Sequence, residues 1–270
     1  MKAAREVSCA SALNRCGIPG MDWCVNPYVG CTHACVYCYA SFMKRFTGHD
    51  EPWGTFVEAK ANLPAVLARQ AARASGTVML ASVTDAWQPA ESVHGLTRAA
   101  LKAIAGTGLA PRVLTKSDLV VRDLDLLRSF GGLLGDSTAS VGFTVTTLDD
   151  RLARVLEPGA APPSRRLAAL SRLAAAGIRT WVFVAPILPG LTDDPDAIAA
   201  IASAARSRGA AEVEFDPMNF YPGAVAAVRR VAEAAGPGPA AAFRAAALVP
   251  SEWRERIRAL ASEAIGDGGA

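Results

Sequence analysis

Short runs of β-branched and apolar residues alternate along this chain with longer Ala/Leu/Arg segments, the rhythm of strands and helices taking turns around a parallel sheet. Six runs read as strands: Trp23–Tyr28, Thr77–Val83, Arg112–Thr115, Ala139–Thr146, Arg179–Pro186 and Glu212–Met218. Helices are expected over 57–74, 92–106, 119–129, 164–176 and 194–208, with a helical tail after residue 224. Several expected helix ends carry Gly (Gly76, Gly106 or Gly108, Gly177, Gly209), which takes the left-handed closing conformation at least cost. The pattern predicts an α/β chain: an N-terminal extension over 1–21, a partial (β/α)6 barrel over 22–222 and a helical C-terminal extension over 223–270.

Strand parity then sorts the side chains. In Ala139–Thr146, Val141, Phe143 and Val145 share the face that meets the outer helices, so Ser140, Gly142, Thr144 and Thr146 should line the interior. In the sixth strand Val213 and Phe215 face outward and Glu212, Glu214 and Asp216 inward, although Glu212 can equally cap the strand's solvent end. Hydroxyls on one side and carboxylates on another suit a polar substrate.

Composition bounds the rest. At 270 residues, 51% of them apolar, the chain suits one barrel-sized domain with a short appendix. A formal charge of +3 is too balanced to announce a nucleic-acid binder and does not forbid one. No run of apolar residues reaches membrane-spanning length, and residues 1–20 hold charges in place of a secretory signal, so no membrane association and a cytoplasmic location are expected.

The most specific chemistry lies just past the first strand, where Cys31, Cys35 and Cys38 fall within eight residues at C-x3-C-x2-C spacing. Three thiolates this close can hold three irons of a four-iron cluster, and no cysteine follows Cys38 to close the fourth. Structural zinc wants two separated ligand pairs, and there is no second pair here.

The triplet, with Tyr37 before its third cysteine, resembles the signature of the radical S-adenosylmethionine (radical SAM) enzymes. Within them the chain is similar to the spore-photolyase-like branch. The likeness is carried by Asn26-Pro27-Tyr28-Val29-Gly30-Cys31, by Ser82-Val83-Thr84-Asp85-Ala86-Trp87-Gln88-Pro89-Ala90-Glu91, and by Leu114-Thr115-Lys116-Ser117 with Arg122-Asp123-Leu124-Asp125. It continues through Thr146-Thr147-Leu148-Asp149, Glu157-Pro158-Gly159-Ala160, Arg165-Arg166-Leu167 and Ala185-Pro186-Ile187-Leu188-Pro189-Gly190-Leu191-Thr192-Asp193. The resemblance implies a TIM-like partial barrel, a [4Fe–4S] cluster on Cys31, Cys35 and Cys38, and SAM on the open iron, cleaved to a 5′-deoxyadenosyl radical. It also implies Tyr37 beside cluster and adenine, Thr84 and Asp85 near the SAM amino group, Lys116 at its carboxylate, Thr144 or Thr146 at carboxylate or ribose, and the Pro186–Pro189 loop against adenine. An external electron donor such as flavodoxin or ferredoxin would be a partner.

The chain departs from the DNA-repairing members in one place. They keep a hydrogen-donating cysteine after the second strand, and Val83 stands there. A thymine-dimer lyase is therefore not expected, and a polar small molecule (nucleoside, sugar or amino-acid-derived) is the favoured substrate. Trp87, Gln88 and Glu91, which can either contact a substrate or pack the loop, join Glu214 and Asp216 as substrate-side candidates, with Asn219, Phe220 and Tyr221 as a second rim. Nucleic-acid repair or modification, using Arg165, Arg166, Arg172 and Arg179 as a basic stripe, and a non-enzymatic iron–sulfur redox sensor are the alternatives. Cys9, Cys16 and Cys24 read either as plain thiols or, for Cys9 and Cys16, as hydrogen or sulfur donors or ligands of a second cluster. Of His33, His49 and His94, His33 alone is placed to hydrogen-bond near the cluster sulfurs.

Overall fold

The computed structural model describes residues 4–131 and 139–266. Its strands are β1 (Arg5–Val7), β2 (Asn14–Arg15), β3 (Trp23–Val25), β4 (Tyr28–Val29), β5 (Glu58–Lys60), β6 (Ser75–Leu80), β7 (Gly108–Thr115), β8 (Ser140–Thr144), β9 (Arg179–Ile187) and β10 (Ala210–Pro217). The main sheet runs β10-β9-β8-β7-β6-β3-β2. From β3 to β10 every neighbouring pair is parallel, which gives the six expected barrel strands in chain order. The two-residue β2 adds an antiparallel edge.

Two elements differ from expectation for visible reasons. The first strand stops at Val25, because Pro27 has no N–H for a ladder and the Asn26 side chain accepts from Ser82 and Val83 N–H at 3.0 and 3.2 Å. Tyr28–Val29 then crosses to a small sheet of order β1-β5-β4. That sheet also claims Glu58–Lys60, so the expected helix over 57–74 shrinks to Leu63–Ala71. An unexpected helix, Asp150–Leu156, is started by the Asp149 side chain accepting from Arg151 N–H at 2.7 Å. The tail is three helices, Pro222–Ala235, Pro237–Leu248 and Pro250–Ile265, each opening on proline.

The parity of β8 is realised: Val141, Phe143 and Val145 are fully buried in the shell between sheet and helices. Gly142 faces inward, and a Cβ there would overlap the Trp181 indole. The lumen is thus narrower on that side than hydroxyls alone would leave it. Arg254 of the last helix donates to the carbonyls of Pro217 and Met218 at 2.5 and 2.7 Å, tying the tail to the exit of β10. Among the described residues, no helix is long and apolar enough to cross a membrane.

Candidate active site

The loop carrying the cysteine triplet follows β4 of the small sheet and is held by groups that sequence spacing does not reveal. Gly30 has φ +79°, and a Cβ there would strike the Phe56 carbonyl, so this turn needs glycine. Gln88 clamps the loop, accepting from Thr32 N–H at 2.9 Å and donating to the Gly30 carbonyl at 3.0 Å. Thr84 donates to the same carbonyl at 2.9 Å. On the far side, Val36 N–H bonds the Leu156 carbonyl at 2.9 Å and Gly159 N–H the His33 carbonyl at 3.0 Å. Backbone positions within the triplet are fixed by Cys38 N–H on the Cys35 carbonyl at 3.1 Å and by Ala34 at φ +52°.

Cys31, Cys35 and Cys38 all open into one cavity of about 560 Å³ at the C-terminal ends of the strands. Thr84, Asp85, Lys116 and Thr144 line it from β6, β7 and β8, as does Val83. Glu214 enters from β10, and Arg112, Trp181 and Phe183 complete the floor. A larger cleft of about 1030 Å³, lined by Thr32, His49, Phe56, Glu58 and His94, lies on the other face of the loop, and no cysteine opens into it. Among the described residues, no three Cys, His, Asp or Glu side chains converge as a single metal ion requires. Thiols that each take a different iron of a cluster need not converge on one point.

Charge in the cavity is paired through its walls. Asp85 accepts from the Thr115 hydroxyl and from Lys116 N–H, both at 2.8 Å, with His33 Nδ1 at 3.4 Å. Burial would raise its pKa, but the His33 ring and these hydrogen bonds outweigh it and hold the carboxyl below the ordinary range. Lys116 sits over the Tyr37 ring, 5.7 Å from its centroid. Burial would lower its pKa, yet neighbouring Cys35 and Glu157 raise it, so the ammonium stays charged. Tyr37 itself points away: its hydroxyl donates to Glu157, which also accepts from Thr146 at 3.0 Å and pairs with Arg166. Arg166 donates on to the Thr144 carbonyl at 2.9 Å. Of the two threonines, Thr144 reaches the cavity and Thr146 belongs to this buried network.

Arg112, absent from the expected set, lies 4.2 Å over the Trp181 ring and bonds Glu214 at 2.5 Å. The buried Trp181 N–H has no partner among the described residues. Other expected residues lie elsewhere. Trp87, Gln88 and Glu91 are fully buried and spent on structure: the Trp87 indole donates to Asp123 at 2.8 Å, Gln88 holds the cluster loop, and Glu91 takes Tyr28, Thr97 N–H and Arg122. Asp216 turns to Arg254, 3.2 Å away in the tail. Among the described residues there is also no continuous basic stripe, because Arg166 is 1% exposed while Arg165 and Arg179 pair with Asp118 and Glu212. Cys9, Cys16 and Cys24 are free thiols outside the cavity lining; Cys9 is fastened by its backbone to Asn62, and Cys16 lies beside Cys24. The missed residues share one signal: Arg112 and Trp181 lie on strands and Glu157 inside the Glu157-Pro158-Gly159-Ala160 motif, but their roles depend on neighbours far away in sequence.

The family model of the radical SAM superfamily matches residues 25–201. An uncharacterized protein of Methanocaldococcus jannaschii is 36% identical over 188 residues, covering 70% of this chain and 69% of that protein. An uncharacterized protein of Mycobacterium tuberculosis is 37% identical over 199 residues, covering 70% of this chain but 57% of its own length. In fold, a spore photoproduct lyase complexed with dinucleoside spore photoproduct superposes with a TM-score of 0.62 at 18% identity, over 83% of this chain and 65% of that one. The peptide-bound SuiB of Streptococcus suis gives 0.52 at 13% identity, over 78% and 44%. The chain thus spans well under two thirds of the mycobacterial relative and of SuiB.

Proposed function

Because the chain belongs to the radical SAM superfamily, and so is a radical SAM enzyme using a [4Fe–4S] cluster and SAM, we propose that it removes hydrogen from a polar small molecule held on the floor of the 560 Å³ cavity. The observation that carries this reading is the opening of all three triplet cysteines into the same space as Lys116, Thr144, Arg112 and Glu214. When bound, cluster and SAM supply a 5′-deoxyadenosyl radical by one-electron cleavage of SAM.

In this reading Cys31, Cys35 and Cys38 hold three irons, and Gln88 and Thr84 keep their loop in register through Gly30 and Thr32. Lys116 and Thr144 hold the SAM carboxylate, where a charged ammonium makes the stronger, charge-assisted bond. Asp85 orients Lys116 through its backbone N–H and leaves little spare capacity for the SAM amino group. The substrate meets Arg112, the Trp181 N–H and Glu214, which provide donors and an acceptor on an aromatic floor. Val83 lines the cavity and has no S–H to return a hydrogen atom. That supports a substrate other than a thymine dimer, and efficient restoration of thymines from the spore photoproduct would overturn it.

Reductant-dependent formation of 5′-deoxyadenosine by the reconstituted protein tests the reading, with Cys35→Ala expected to abolish it. Wild-type activity in that variant, or an intact cluster that never cleaves SAM, would sink the reading.

A further inference from the structure

We propose that the aromatic ridge Tyr39, Phe42 and Phe46 is the docking face for a small acidic electron-carrier protein that reduces this enzyme. The inference rests on the radical SAM reading, in which one electron must enter from outside for each SAM cleaved. Cys38 is the N-cap of the helix Tyr39–Phe46, so the ridge begins at the residue after the third cysteine. On that helix Tyr39, Phe42 and Phe46 are 47%, 42% and 68% exposed. Their ring centroids follow at 6.5 and 6.4 Å, and the Arg45 guanidinium lies over Phe42 and Phe46 at 5.5 and 5.0 Å. Exposed aromatics interleaved with arginine are what the centre of a protein interface is made of.

Position separates this ridge from other surfaces. On the other face of the loop the 1030 Å³ cleft reaches Thr32 but none of the three cluster cysteines, while Cys31 and Tyr37 are buried and Val36 is bonded to Leu156. Phe42 and Phe46 do not line the 560 Å³ cavity, whereas Tyr39 does, so a partner seated on the ridge reaches the cluster loop and leaves the lumen to SAM and substrate. Charge selects the partner. The helix carries Lys44 and Arg45 and no carboxylate, and the next acidic residues along the chain, Asp50 and Glu51, lie beyond its end. Lys44, which donates to the Asp50 carbonyl at 2.7 Å, and the exposed Arg45 both keep their charge, while Glu51 is engaged by His49 at 3.0 Å. One face of an eight-residue helix also matches the small interfaces typical of transient electron transfer. In the encounter the reduced carrier loses one electron, the bound cluster gains it, and no bond is made or broken.

Reduced flavodoxin and dithionite, supplied separately to wild type, Arg45→Glu and Phe42→Ser/Phe46→Ser, distinguish the possibilities. Dithionite-driven 5′-deoxyadenosine formation should stay within about twofold of wild type in both variants. Flavodoxin-driven formation should fall tenfold or more, and the Kd for oxidised flavodoxin by calorimetry should rise to match. Equal loss with both reductants, or unchanged flavodoxin kinetics and Kd, overturns the docking face. So does a ridge whose substitution instead halves the solution mass or abolishes oligonucleotide binding while flavodoxin still works. If wild type fails with dithionite the proposed function falls, and the Kd comparison alone still judges the docking face.

Discussion

Glu91, in the loop after β6, and Glu214, inside the barrel on β10, are carboxylates in opposite circumstances. Glu91 is fully buried and accepts from the Tyr28 hydroxyl at 2.5 Å, Thr97 and Arg98 N–H at 2.8 and 3.1 Å, and Arg122 at 2.6 Å. Glu214 has one close partner among the described residues, Arg112, and a side chain that is 44% exposed and lines the cavity. A buried carboxylate with every lone pair engaged is a structural strut, because each donor around it would be stranded without it. One with spare acceptor capacity in a cavity can change partners when a ligand arrives. The loop after β6 is therefore scaffold and the barrel floor is working surface, although both present acid, aromatic and amide groups.

The contrast breaks first at the scaffold. Glu91→Ala strands Arg122, the Tyr28 hydroxyl and two backbone N–H groups, and should cost about 3–5 kcal/mol in urea unfolding. A loss under 1 kcal/mol would make Glu91 dispensable. Gly142→Ala should cost about 1–3 kcal/mol by displacing Trp181, and should move the barrel floor without unfolding the protein. A shift in tryptophan fluorescence at unchanged circular dichroism would show this.

Acid sharpens the same point. Burial would raise the Asp123 pKa, but Arg122, Arg98 and the Trp87 N–H hold it below the ordinary value. Its stabilisation is therefore present at neutral pH and lost as pH falls from about 4 through the depressed pKa. Asp123→Asn should flatten the acid limb of stability against pH. The smallest effect belongs to the floor: Glu214→Gln should change stability by no more than about 0.5 kcal/mol, since an exposed ion pair contributes little. If it destabilises as Glu91→Ala does, the division between scaffold and working surface is wrong.

These contrasts also show where sequence is informative. The six parallel strands are legible because periodicity is local, and the inward placement of Thr144 and Glu214 follows from parity alone. The cluster loop is legible because its cysteines are neighbours in the chain. Trp87, Gln88 and Glu91 follow a barrel strand and carry groups suited to a ligand, but what occupies those groups is Asp123, Thr32 and Arg122, at separations of 36, 56 and 31 residues. No local pattern announces such partners. Arg112 is hidden for the same reason, since its meaning comes from Trp181 and Glu214 across the lumen. Glu58–Lys60 reads as helix from its neighbours and becomes strand because β1 and β4 need it.

The prolines that open the three tail helices act on more than the folded chain. Pro222, Pro237 and Pro250 sit where a helix has no use for their missing N–H, so the folded tail loses no hydrogen bond by having them. In the unfolded chain each one restricts the backbone and thins the ensemble that folding must give up, an advantage of about 0.4–1 kcal/mol per site. Replacing all three with alanine should therefore lower stability while leaving every tail contact in place, a loss seen as greater entropy of the denatured state.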